Sequence, residues 1–194
     1  MADGGGFEHN LAAVLELLQW SSDDVDCIIR MSLDSGQRPG SARVIHAENT
    51  HSILMYPRAK RPFPWPTVRH ELLHALLKSV IKDSLEEIAV RLPVSFSYRE
   101  QAFRDNVEEY FVRALNALSM SEYLGIAWLR SQLHREIGNG FLLMERALNY
   151  LSLVRIQKRR VTSKVFVEFA RTLVINSKEK SSSNLDTPTN NTLP

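Results

Sequence analysis

Apolar residues recur at helical spacing near both ends of the chain. In the first stretch, Leu11, Val14, Leu15 and Leu18 define one face of an amphipathic helix over Phe7 to Trp20. Residues 1–6, with three glycines, predict a flexible start. Val25, Ile28 and Ile29, within Asp23 to Leu33, suit a second short helix or an irregular segment. Gly36 to Ser41 reads as a loop from its Gly and Pro. The pattern then changes. Ala42 to Ala47 and Ser52 to Tyr56 are short runs rich in Val, Ile, Leu and Tyr, separated by Glu48, Asn49 and Thr50. They predict a β-hairpin or two neighbouring strands. Pro57 to Pro66 is a basic, proline-rich connection that cannot stay regular for long.

The next stretch is apolar nearly all round. Pro64, Pro66 and Thr67 open a helix, and Val68, Leu72, Leu73, Ala75, Leu76, Leu77, Val80 and Ile81 cover most of its circumference. Such a helix is buried in the protein. Within it lie His70, Glu71 and His74, polar groups that need partners in a buried setting. Beyond it the chain reads as mostly helical. Ser84 with Glu87, Ser97 with Glu100 and Ser119 with Glu122 have the spacing of capping boxes and predict three helix starts, with Pro93 between the first and second. Gly138-Asn139-Gly140 breaks the chain before an apolar helix over Phe141 to Ile156. A last helix is expected from Ser163 to about Ile175. From Ser177 the composition turns to Ser, Asn, Thr, Pro and Lys, as in a disordered tail.

Composition narrows the picture. The 194 residues suggest one domain spanning 1–176 with a tail over 177–194. A hydrophobic share of 44% is enough to build a core. The formal charge of +2 does not by itself imply a nucleic-acid partner. Cys27 is the one cysteine, which excludes a disulfide within the chain and a cysteine-based structural zinc site. No secretory signal and no apolar run of membrane-spanning length is visible, so a soluble cytoplasmic protein is expected.

The chemistry concentrates in His70-Glu71-Leu72-Leu73-His74. Histidines four apart lie about one turn apart and project from the same side of a helix, so both rings can reach one metal ion. The intervening glutamate points to a neighbouring face, where it can hold a water that the metal polarises. This is the HExxH pattern of zinc metallopeptidases. A catalytic zinc needs a third protein ligand. The extended pattern with a third histidine is excluded, because its glycine and histidine positions hold Leu77 and Val80. His134 is far along the chain, which leaves a carboxylate. Asp83 and Glu86 are too near in sequence to fold back. Glu87 and Glu100 are better used in capping boxes. Glu108 and Glu109 remain, on a helix whose apolar face is Phe103, Val107, Tyr110, Phe111, Ala114, Leu115 and Leu118. At about 100° per residue, Glu108 falls at the edge of that face and Glu109 nearly opposite it. Glu108 is the expected third ligand, and Glu109 is the alternative.

HELLHALL, followed by a helix beginning VEEYFVRAL, resembles the gluzincin metallopeptidases, particularly the small single-domain and ImmA/IrrE-type members. The resemblance covers about residues 42–120. It implies an α+β fold, mainly α, with a zincin-like core: a small sheet or hairpin, the HExxH helix and a glutamate helix. Residues 121–176 would form a helical extension with no counterpart. The implied activity is zinc-dependent hydrolysis of a protein or peptide substrate, which lies extended along the strand Ser52 to Tyr56. His70, His74 and Glu108 would hold Zn²⁺, and Glu71 would be the general base. The chain departs from the family in the longer spacing from His74 to the glutamate and in the bulky Tyr110 and Phe111 that follow. Tyr98, Tyr110, Tyr123 and His134 have suitable chemistry for an electrophilic partner.

Two other classes fit parts of the sequence. Arg155, Lys158, Arg159, Arg160 and Lys164, and also Arg58, Lys60 and Arg61, form basic clusters able to neutralise phosphates. Alternatively, the HExxH helix is the scaffold of a catalytically inactive zincin-like binding protein. Gly-rich phosphate loops and serine-nucleophile motifs are absent.

Overall fold

The computed structural model describes residues 6–25, 28–33, 41–47, 50–56, 65–91 and 100–182. The elements in order are α1 (Phe7–Leu18), a 3₁₀ turn (Ser22–Asp24), β1 (Ile28–Leu33), β2 (Ser41–Ala47), β3 (Thr50–Tyr56), α2 (Trp65–Arg91), α3 (Glu100–Gly138), α4 (Met144–Ile156) and α5 (Ser163–Ser182). The fold is mainly α with one small sheet.

β3 is the central strand of that sheet, in the order β1-β3-β2. It pairs antiparallel with β2, from Ser41 opposite Tyr56 to Ala47 opposite Thr50, as the hairpin pattern predicts. It also pairs parallel with β1, from Ile28 opposite Thr50 to Leu33 opposite Met55. β1 corrects the expectation of a short helix there. Val25, Ile28 and Ile29 fit a helical period, but the alternation that follows suits a strand, and the edge of β3 supplies the hydrogen bonds that decide between them.

α2 is buried or half-buried from Val68 to Leu77, while Lys78, Ser79 and Lys82 are exposed, so the helix is enclosed only over its first half. Val68 and Leu72 are buried with Ile53 of β3 on one side. Leu73, Leu76, Leu77 and Ile81 join the main core on the other, together with Phe111 of α3 and Phe166 and Phe169 of α5. The three phenylalanine rings meet with centroids 4.9–6.4 Å apart, within the range of favourable aromatic pairs. Residues from α1, α2, α3, α4 and α5 share this one cluster, so the expected helical extension packs into the same core. Two bonds tie the first helix to the last connection: the Trp20 indole donates to the Val161 carbonyl at 2.8 Å, and the Val161 amide donates to the Leu18 carbonyl at 3.0 Å.

Two of the expected helix starts lie inside helices. Ser84 is buried within α2, and its hydroxyl donates back to the Val80 carbonyl at 2.5 Å. Ser119 is buried within α3, and its hydroxyl accepts from Arg69 at 2.9 Å. A serine in a helix interior can satisfy itself on the carbonyl four residues back, so the Ser-x-x-Glu spacing alone does not mark a start. Ser97 and Pro93 lie outside the described residues, and Glu100 opens α3. The actual break in that region is Gly125, at φ 79° and ψ 173°. This conformation is essentially restricted to glycine. The chain reverses there: Arg113, twelve residues before it, reaches Glu136, eleven residues after it, at 2.7 Å. α3 is therefore a helical hairpin. α5 continues to Ser182, past the point where disorder is expected, and 183–194 lie outside the described residues.

Candidate metal centre

The site sits where α2 meets the first half of the α3 hairpin. Arg69, one residue before the first histidine, fixes the approach. Buried to 3% exposure, it donates to Asn10 Oδ1 of α1 at 2.5 Å and to Ser119 Oγ of α3, and its guanidinium lies 4.8 Å from the Tyr123 ring centroid. Three helices are thereby held in one register, and His70 and His74 face the segment carrying Glu108 and Glu109.

The two imidazoles stand edge to face, with Nε2 atoms 3.2 Å apart. Glu109 presents Oε2 to His74 Nε2 at 3.2 Å and Oε1 to His70 Nε2 at 3.5 Å. Glu108 takes the other nitrogen, its Oε1 accepting from His74 Nδ1 at 2.8 Å. The helical-wheel argument assigns Glu108 to the metal. The structure groups Glu109 with both histidines and puts Glu108 behind the His74 ring. The two glutamates flank the line from α3 to α2, and a three-bond side chain from either position reaches His74. Which nitrogen each one meets is invisible in a helical wheel.

Ligand atoms about 2.0–2.1 Å from zinc in tetrahedral array lie about 3.3 Å from one another. Here the histidine nitrogens are 3.2 Å apart but meet different oxygens of Glu109, Oε2 at 3.2 Å and Oε1 at 3.5 Å; with one oxygen from Glu109, the three ligand atoms lie within 4.8 Å of one another, a group that could hold a metal ion. A carboxylate on the far nitrogen of a metal-binding histidine fixes its tautomer and orientation, and Glu108 has that place. Arg113 holds Glu109 from outside, at 2.7 Å, and is itself held by Glu136 at 2.7 Å. Glu136 is 5% exposed. Sequence reasoning misses both residues. The spacing of Glu109 and Arg113 is an ordinary i, i+4 pair that signals only a helix, and Glu136 is brought in by the turn at Gly125.

The electrostatics describe the group without metal. Burial pushes His70 down to about 4, so its 3.5 Å approach to Glu109 is not an ion pair at neutral pH. Burial also acts to lower His74, but the hydrogen bonds and charges of Glu108 and Glu109 outweigh it and raise the ring to about 9. Burial acts to raise Glu109; the hydrogen bond with His74 and the nearby positive charges prevail and hold it at about 2. At pH 7 the metal-free site is thus an imidazolium clasped between two carboxylates, beside a neutral imidazole. A metal taking the His74 Nε2 position would have to displace its proton, so any zinc affinity should climb with pH up to about 9.

The same shifts set a stability profile. His74, raised, stabilises the fold fully below its unfolded value of 6.5, and that contribution is lost as pH rises through about 9. His70, lowered, refuses a proton that the unfolded chain accepts, so stability falls as pH drops from 6.5 towards 4. Glu109 adds a further loss between 4.5 and about 2. In the presence of a chelator, the urea midpoint is expected to peak near pH 6.5 and decline on both sides. A midpoint that stays level from 6.5 to 9 would show that His74 is not clasped.

The other expected residues are not part of the His70–His74–Glu109 group. Glu71 is half-buried on α2. Tyr110 accepts from the Leu143 amide at 3.3 Å and packs against Phe141, anchoring the turn before α4. Tyr123 is half-exposed beside Arg69, and His134 is exposed. Tyr98 lies outside the described residues. A cavity of about 240 Å³ opens on His70, and Glu71, Tyr110, Tyr123 and His134 do not line it.

In the basic cluster near the last two helices, Arg155 pairs with Glu122, Arg159 with Glu168 at 2.7 Å and Arg160 with Asp24 at 2.5 Å. These pairs join α4 to α3, and the connection before α5 to α5 and to the turn after α1. The second cluster, Arg58, Lys60 and Arg61, lies outside the described residues. Among the described residues no helix is long and apolar enough to cross a membrane. The chain matches no family model, and comparison with curated proteins and with solved structures finds no match.

Proposed function

We propose that the protein is a zinc-dependent peptidase in which His70, His74 and Glu109 hold the metal and Glu71 is the general base. The observation that carries this reading is that one ligand atom from each of His70, His74 and Glu109 lies within 4.8 Å of the other two, with the imidazole Nε2 atoms 3.2 Å apart. Bound zinc would polarise a peptide carbonyl and bring the pKa of a water towards neutrality.

The residues of the chain do the rest. Glu108 keeps His74 in the tautomer whose Nε2 is free to bind. Arg113 pins the Glu109 carboxylate, so its oxygens stay aimed at the histidine pair. Glu71, on the face next to His70, accepts a proton from the attacking water at its carboxylate and delivers it to the leaving amine. The cavity beside His70 receives the substrate.

A second reading has a specific basis: the imidazolium between two carboxylates is complete without metal and could serve as a clasp between α2 and α3. Metal analysis separates the two. The purified protein should carry one zinc per chain and hydrolyse a mixed peptide library, lose both on treatment with a strong chelator, and regain both with added zinc. A protein that takes up no stoichiometric zinc at pH 8 leaves the clasp as the function of these residues.

A further inference from the structure

The cavity beside His70 has a chemistry of its own. Its volume of about 240 Å³ falls below the roughly 300–1,000 Å³ of pockets that enclose whole small ligands, so it suits one residue of a longer chain. One side is α2 and the first half of α3, with His70 and Arg113. The facing wall comes from α3 after Gly125, with Trp128, Gln132, Arg135 and Glu136.

The charges in this wall are not equally available. Glu136 is buried with both oxygens engaged, Oε2 by Arg113 at 2.7 Å and Oε1 by the Gln132 amide at 2.5 Å. Arg113 is committed to Glu109 and Glu136. Arg135 differs. It is exposed, and its guanidinium donates to the neutral Gln132 Oε1. A carboxylate entering the cavity would replace a neutral acceptor by a charged one, giving the shorter, stronger hydrogen bonds of a guanidinium–carboxylate pair.

We propose that this cavity binds a carboxylate of the substrate through Arg135, making the protein selective for peptides with an acidic group beside the cleaved bond. The inference rests on the peptidase reading for its consequence in turnover, but the binding itself does not require hydrolysis. The carboxylate has two sources, an Asp or Glu side chain or a free peptide C-terminus.

The test uses the zinc-loaded full chain and short N-acetylated peptides that differ at one residue, Glu, Gln or Lys, each as the C-terminal acid and as the amide. Binding is read in the Glu71→Gln variant from the emission of Trp128, with Trp128→Phe as the control for signal origin, and turnover is read as kcat/KM in the wild type. The peptide bearing the recognised carboxylate is expected to exceed its neutral counterpart, Gln for Glu or amide for acid, by roughly 10–100-fold, the range of a charge-assisted hydrogen bond. Arg135→Glu should abolish that advantage with zinc content unchanged. A preference for Glu over Gln that persists in the amides identifies the side chain as the source; acids that bind alike and all more tightly than their amides identify the C-terminus. Equal binding of all six peptides, or an advantage unmoved by Arg135→Glu, overturns the proposal. Arg135-dependent binding of acidic peptides without hydrolysis of any peptide would uphold the cavity and count against the peptidase reading alone.

Discussion

Glu71→Gln is expected to leave one zinc per chain and to lower peptide hydrolysis by roughly 10²–10⁴-fold, the usual contribution of a positioned general base. Glutamine keeps the volume and the polarity of the side chain but cannot take a proton at neutral pH. The three side chains proposed to hold the metal are untouched, so a loss of turnover with zinc retained isolates proton transfer from metal binding. The measurement is kcat/KM on a cleaved peptide, with metal content determined on the same sample. Full activity in this variant refutes the assignment of Glu71. Loss of zinc would instead place Glu71 among the residues that hold the metal.

The two neighbouring glutamates should separate sharply. Glu108→Gln still accepts a hydrogen bond from His74 Nδ1, at lower strength, and zinc affinity should drop by about 10–100-fold, as for other carboxylates that orient a metal-bound histidine. Glu109→Gln removes a charged ligand from the metal itself and should cost well beyond that range. Glutamine is the suitable replacement, because its carbonyl can still accept from Arg113 and spares the buried Arg113–Glu136 pair a rearrangement. Zinc affinity is measured by competition with a chelator of known strength, and circular dichroism checks that both variants keep their helices. The reverse order, with Glu108→Gln the more damaging, would return the ligand role to Glu108.

Much of the framework was legible in the chain because it depends on local periodicity. The all-round apolar pattern from Val68 to Ile81 predicts a buried helix, and the first half of α2 is that helix, wedged between Ile53 of the sheet and the phenylalanines of α3 and α5. The β2–β3 hairpin follows from two Val- and Ile-rich runs around a short polar break. β1 was not legible. A parallel edge strand depends on a partner 22 residues away, as Ile28 is from Thr50, and its own residues tolerate helix as well. Ser84 and Ser119 show the limit of short motifs: each has the spacing of a cap, and each is buried in a helix interior where tertiary contacts override the local signal.

The sequence by itself determined that two histidines and a glutamate share one buried helix, and that a carboxylate-bearing helix follows. The spacing of residues along a helix is fixed by the backbone, so the pairing of His70 with His74 needed no knowledge of the rest. Only the tertiary structure decided which carboxylate meets which nitrogen. Glu108 and Glu109 are adjacent in the chain, and their roles divide according to the position of α3 against α2, which Arg69, Ser119 and Asn10 hold. The Arg113–Glu136 pair and the Arg135 wall exist because the chain reverses at Gly125. Contacts between residues more than twenty apart depend on how the helices pack, and no local pattern encodes that.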